Sequence, residues 1–181
     1  MPSASDNTAK YIATSLRLAA QDLIDAKTLN AAGSRNDTYH LEQGVEKILK
    51  ALLTSEHVHI ERKDAHQLDI SIDQLPENHP LKRELLSMGY LTEYATTYRY
   101  PSPSGRIKPN LPTERFVATL ELANSILARA ATHFGVRNLS IDSDEPAMIV
   151  TPMRMPRSEP SDTSDDDGGG GGSGAAGDPR P

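Results

Sequence analysis

Residues 35–53 read RNDTYHLEQGVEKILKALL. Leu41, Val45, Ile48, Leu49, Leu52 and Leu53 recur every three or four positions, the spacing of one apolar helix face. Glu42, Gln43, Glu46, Lys47 and Lys50 take the other face, where long charged side chains normally meet solvent or pair weakly with one another. Asp37 is placed to cap the helix, with Thr38 and Tyr39 in its first turn. Arg35 is followed five positions later by His40. That spacing suits the cation and general acid/base of a metal-independent ribonuclease, and it equally suits an ordinary helix start. Because a cap separates the two residues, the helix start is the leading reading, and Arg35 and His40 are kept as a secondary candidate pair.

Three further stripes flank this one. Ile12, Leu16, Ala19, Leu23 and Ala26 share a face in residues 8–33, and Gly33 is a natural stop. A second runs from Pro80, suited to a first helical turn, through Leu81, Leu85, Met88, Leu91, Tyr94, Ala95 and Tyr98. It stops before Pro101, and Gly89 sits where it can kink or split the helix. A third joins Phe116, Leu120, Ala123, Leu127, Ala130 and Phe134, with Thr113 as the expected cap and Gly135 as the stop. Amphipathic helices of this kind must bury their stripes against one another. The expected fold is therefore all-α, a four- to five-helix up-and-down bundle.

The boundaries follow from composition. Residues 1–8 read as an N-terminal tail, 9–136 as the bundle and 137–157 as an extended, partly ordered segment. Within that segment AMIVTP (147–152) can pack on the bundle or on a partner. Residues 158–181 are Ser, Asp, Gly and Pro almost throughout and read as a disordered acidic tail. Charge divides the same way: residues 1–157 hold 18 Lys and Arg against 19 Asp and Glu, whereas 158–181 hold 1 against 6. The overall charge of −6 thus belongs mostly to the tail, and a basic face on the bundle is compatible with it.

Several chemistries are excluded or disfavoured. The chain has no cysteine, which removes disulfides, thiolate metal sites and a cysteine nucleophile and suits a reducing compartment. The N-terminus lacks the apolar core of a signal peptide. No stretch approaches the ~20 apolar residues of a membrane span. A soluble, cytoplasmic protein is expected. His57, His59 and His66 lie among Glu56, Glu61 and Asp64, but without zinc-ligand spacing, so no metal site is expected there. The glycines at 168–172 follow no strand and read as a linker rather than a phosphate cradle. No motif calls for a cofactor.

YHLEQGVEKILKALL (39–53), HQL (66–68) and LTEYATTYRYP (91–101) together resemble the HEPN domain family, over roughly residues 9–134. The resemblance implies a small helical bundle, often a homodimer, found beside a partner protein such as a minimal nucleotidyltransferase. It also implies roles in nucleotide or RNA binding, in toxin–antitoxin pairs and in phage defence. HEPN ribonucleases carry an Arg, four to six residues, then a His between the last two long helices. Here RYPSPSGRIKPN (99–110) contains no His, and Arg129 with His133 falls inside the last helix. No catalytic residue is therefore assigned.

The loop TTYRYPSPSGR is the leading candidate for a ligand contact. Tyr98, Arg99 and Tyr100 set two aromatic faces around a guanidinium, a group that stacks on a base and holds a phosphate bidentately. The same residues can instead stitch a helix end to its neighbour. Arg106 and Lys108 add positive charge to that edge, and Lys47 and Lys50 complete the candidate set. The expected function is a non-catalytic binding module for nucleotide, RNA or a partner protein. A ribonuclease with a displaced Arg/His pair and a structural dimeric scaffold subunit are the alternatives.

Overall fold

The first apolar stripe forms α1 (Ala4–Ala31), in a computed structural model that describes residues 4–59, 66–96, 104–107 and 109–155. The helix begins inside the stretch read as an N-terminal tail. Asp6 lies in its first turn, where a carboxylate complements the helix dipole. At its other end Gly33 is left-handed, at φ 66°, and the Gly33 and Ser34 N–H groups close back onto Asn30 and Leu29 carbonyls. α2 (Asp37–Ser55) then returns antiparallel against α1. Asn36 holds the cap position without a side-chain bond. Asp37, the expected cap, instead accepts hydrogen bonds from the Thr38 N–H and hydroxyl and from Asn30 Nδ2.

α1 and α2 approach closely at Gly44. A Cβ there would come 2.7 Å from Leu23 Cδ2, so a side chain would force the helices apart. α2 also touches α3 (Leu68–Asp73), α5 (Thr92–Thr96) and α6 (Thr113–Phe134), and every one of its residues is buried or half-buried. Its polar face therefore is not a solvated one: Glu42 is fully buried and Glu46 nearly so.

The stripe starting at Pro80 is split, around Gly89, into α4 (Lys82–Leu86), a 3-10 turn (Gly89–Leu91) and α5 (Thr92–Thr96). A Cβ on Gly89 would lie 3.8 Å from Asp69 Cα, in α3 (Leu68–Asp73). That six-residue helix buries Leu68 and Ile72, and it is too short to leave a periodic signal in sequence. The turn after α3 is held by the buried Lys82, whose ammonium donates to the Asp73 and Leu75 carbonyls and to Glu77. Residues 97–103, and with them Tyr98, Arg99 and Tyr100, lie outside the described residues, as do Lys108 and residues 156–181, which include the acidic tail expected over 158–181.

α6 (Thr113–Phe134) buries the expected stripe, with Pro112 rather than Thr113 at its cap. Gly135, at φ 66°, ends it: Val136 N–H reaches Ala131 O and Gly135 N–H reaches Thr132 O. The chain then straps back over the bundle in irregular conformation. The buried Arg17 of α1 grips the Asn138 and Glu145 carbonyls at 3.0 and 2.6 Å. Ala147 N–H donates to Ala9 O, and Met148 and Ile149 N–H groups both donate to Phe134 O. The AMIVTP segment thus packs on its own bundle, with Ala147 buried and Met153 buried just past it.

Leu49 is 1% exposed, on the apolar face of the central helix. Leu49→Ala should lower unfolding stability by about 2–5 kcal/mol in chemical denaturation. A change within about 0.5 kcal/mol, the size of an ordinary surface substitution, would place Leu49 outside the core.

Candidate functional site

Two carboxylate clusters run along the polar side of α2. In the first, Asp22 of α1 meets His40 Nδ1 at 3.0 Å and Lys47 Nζ at 2.6 Å. In the second, Glu46 pairs with Lys50 one turn on and with His66 Nδ1 at 3.2 Å. This bond ties the stretch before residue 68 to α2. Lys47 and Lys50, candidate ligand contacts, thus each neutralise a half-buried or buried carboxylate of the chain itself.

Asp22, Asp25 and His40 place one ligating atom each within 4.8 Å of one another, a grouping that spans two helices. Asp22 already has a cation in Lys47, and Asp25 Oδ1 accepts from Gln21 Nε2 at 2.9 Å. An ion there would have to displace Lys47, so the charge is balanced by protein groups.

Glu42 lies between the two clusters in the helix. It is fully buried, and Gln43 Nε2 donates to its Oε2 at 2.8 Å. Its Oε1 has no hydrogen-bond partner among the described residues. Burial pushes this carboxyl up to about 8, with the like charge of Glu46 adding to the shift and Gln43, Lys47 and Lys50 opposing it. At neutral pH Glu42 is predominantly a neutral acid inside the bundle. Sequence gave no hint of this, because in a helical wheel Glu42 is one of five polar residues on one face.

The candidate Arg/His pairs are drawn to internal partners. His40 is bonded to Asp22 as described, while Arg35 lies in the connection before α2. Arg129 NH1 contacts both oxygens of Glu84 at 2.7 Å, and His133 Nε2 bonds the Thr151 carbonyl at 2.9 Å. Arg106 is exposed on the short described stretch before α6.

An arginine–aromatic ledge does occur, built from residues that sequence reasoning did not pair. Arg115, in the first turns of α6, lies 3.7 Å over the Tyr90 ring, whose hydroxyl bonds Thr119 Oγ1 at 2.7 Å. Tyr94 on α5 is in the electrostatic neighbourhood of Tyr90 and Arg115, and burial is the main cause that raises its phenol. The ledge therefore adjoins α5, from which the chain enters the Tyr98–Arg99–Tyr100 stretch. Tyr90 and Arg115 are 25 positions apart and meet through the packing of the 3-10 turn on α6.

Glu42 makes stability depend on pH with a definite sign. Its folded value is raised, so its contribution is fully present below the unfolded value near 4.5 and is lost as pH rises through about 8. Glu42→Gln removes that proton. Its melting temperature should rise relative to wild type by several degrees between pH 5 and pH 9, a differential on the order of a few kcal/mol. Melting curves that stay parallel across this range would mean that Glu42 ionises freely in the folded state.

Comparison of the chain with protein-family models, with curated proteins and with solved structures finds no match.

Proposed function

We propose that this protein is a HEPN-like, non-catalytic binding module that docks a nucleotide, RNA or a partner protein in a toxin–antitoxin or defence system of the cytoplasm. The ligand residues are Tyr98, Arg99 and Tyr100, which follow α5 in the chain, together with Arg106. The observation that carries this reading is the Arg115–Tyr90 ledge, a guanidinium from the first turn of α6 on an aromatic face. Stacked arginines and tyrosines accept a base plane, and a second guanidinium at Arg99 would supply the planar fork that a phosphate takes.

The internal bonds of Arg129 and His133 favour binding over the ribonuclease alternative, since each side chain is turned to a protein partner. No helix of the described residues is long and apolar enough to cross a membrane. The homodimer, and a partner such as a minimal nucleotidyltransferase, complete the proposal.

Fluorescence anisotropy with labelled single-stranded RNA and with ATP tests it on the purified chain. Wild type should bind one of them, and Arg99→Lys should weaken that binding at least several-fold with its melting temperature unchanged, because a lysine cannot reproduce the fork. Equal affinity with a lowered melting temperature would assign Arg99 to the helix end instead. RNA cleavage without added metal, abolished by His40→Ala or His133→Ala, would establish the ribonuclease.

A further inference from the structure

The strap formed by residues 136–155 is held at its two ends by arginines of different character. Arg17 is 3% exposed and fastens the first half through the Asn138 and Glu145 carbonyls. Arg154 fastens the second half by a bidentate pair, NH1 to Glu56 Oε1 at 2.5 Å and NH2 to Glu56 Oε2 at 3.0 Å. Its side chain is 50% exposed, whereas that of Glu56 is 4% exposed. Arg154 thus meets water on its outer side, whereas Arg17 is enclosed.

Glu56 follows α2, at the negative end of the helix dipole, where a carboxylate needs a counter-group. A second group stands beside it. His79 is wholly buried in its side chain, with Nε2 at 3.9 Å from Glu56 Oε1. The Leu81 N–H donates to His79 Nδ1 at 3.2 Å, so Nδ1 is an acceptor and the neutral ring carries its proton on Nε2. That N–H has no hydrogen-bond partner among the described residues. Burial, reinforced by Arg154 and His133, lowers the His79 value against the opposing pull of Glu56, which keeps the ring a neutral donor. Lys82 pins the turn that carries the ring. A buried donor 3.9 Å from a carboxylate oxygen, about 0.7 Å beyond bonding range, is costly as it stands and is relieved by a small rotation of Glu56.

We propose that Glu56 is a two-position latch: it holds Arg154 when the strap is closed and turns onto His79 Nε2–H when residues 147–155 lift away. The hinge is at Glu145–Pro146, just past the last carbonyl gripped by Arg17. Opening breaks the Ala147, Met148 and Ile149 backbone bonds and the His133–Thr151 bond, and uncovers the surface beneath Ala147 and Met153. The bond given up by Arg154 is replaced inside the bundle, so the open state leaves neither Glu56 nor His79 unsatisfied.

Hydrogen exchange read by mass spectrometry, together with the His79 Nε2–H proton signal, tests the latch on the full chain. Arg154→Met should speed exchange of amides 148–155 at least tenfold, leave the α6 amides slow, and move the His79 signal downfield as Glu56 becomes its acceptor. Glu56→Gln should speed the same amides while producing no such downfield move, since the carboxylate is gone. Unchanged exchange in either variant, or a His79 signal that does not respond to Arg154→Met, overturns the proposal.

Discussion

A helix with no exposed residue must find partners for its polar side chains inside the protein. α2 is such a helix, and it carries two glutamates, an aspartate and two lysines. The arrangement around it follows from that constraint. α1 supplies Asp22 for Lys47 and His40, and the stretch before α3 supplies His66 for Glu46. Gly44 lets the backbones of α1 and α2 come close enough for the first of these contacts to form. Glu42 receives a single hydrogen bond and responds by holding its proton.

The same demand for satisfied groups explains the strap. α6 ends with carbonyls that its glycine turn only partly covers, and the Met148 and Ile149 N–H groups take the Phe134 carbonyl. A Cβ on Gly135 would meet Met148 Cβ at 2.8 Å, so the glycine serves both the left-handed turn and the seating of the strap. Arg17 lies within the apolar side of α1 yet is fully used, because its guanidinium reaches two carbonyls of the strap. The segment is thereby part of the bundle rather than an appendage to it.

The stripes of α1, α2 and α6 were legible because each repeats over several turns, and the helix stops at Gly33 and Gly135 were legible because left-handed closure favours glycine. α3 was not, since two buried residues four apart are no pattern. Nor was the burial of Glu42 and Glu46. A helical wheel separates polar from apolar faces but does not say which other helices cover the polar one. The Arg115–Tyr90 ledge, the Arg17 grip and the Glu56–Arg154–His79 group join residues distant in sequence, with no local motif to announce them. Tyr98, Arg99 and Tyr100 lie outside the described residues, and Tyr90 and Arg115 meet only in the folded chain.

The Asp22–Lys47 pair is the most direct test of the buried polar seam. Their side chains are 15% and 24% exposed, intermediate between a core pair and a surface pair. A double-mutant cycle with Asp22→Asn and Lys47→Met, measured by urea denaturation, isolates their interaction from the other effects of each substitution. If α2 depends on α1 for its charge balance, the coupling energy should be about 1 kcal/mol or more. A coupling below about 0.3 kcal/mol, typical of a solvated helix-surface pair, would contradict that dependence.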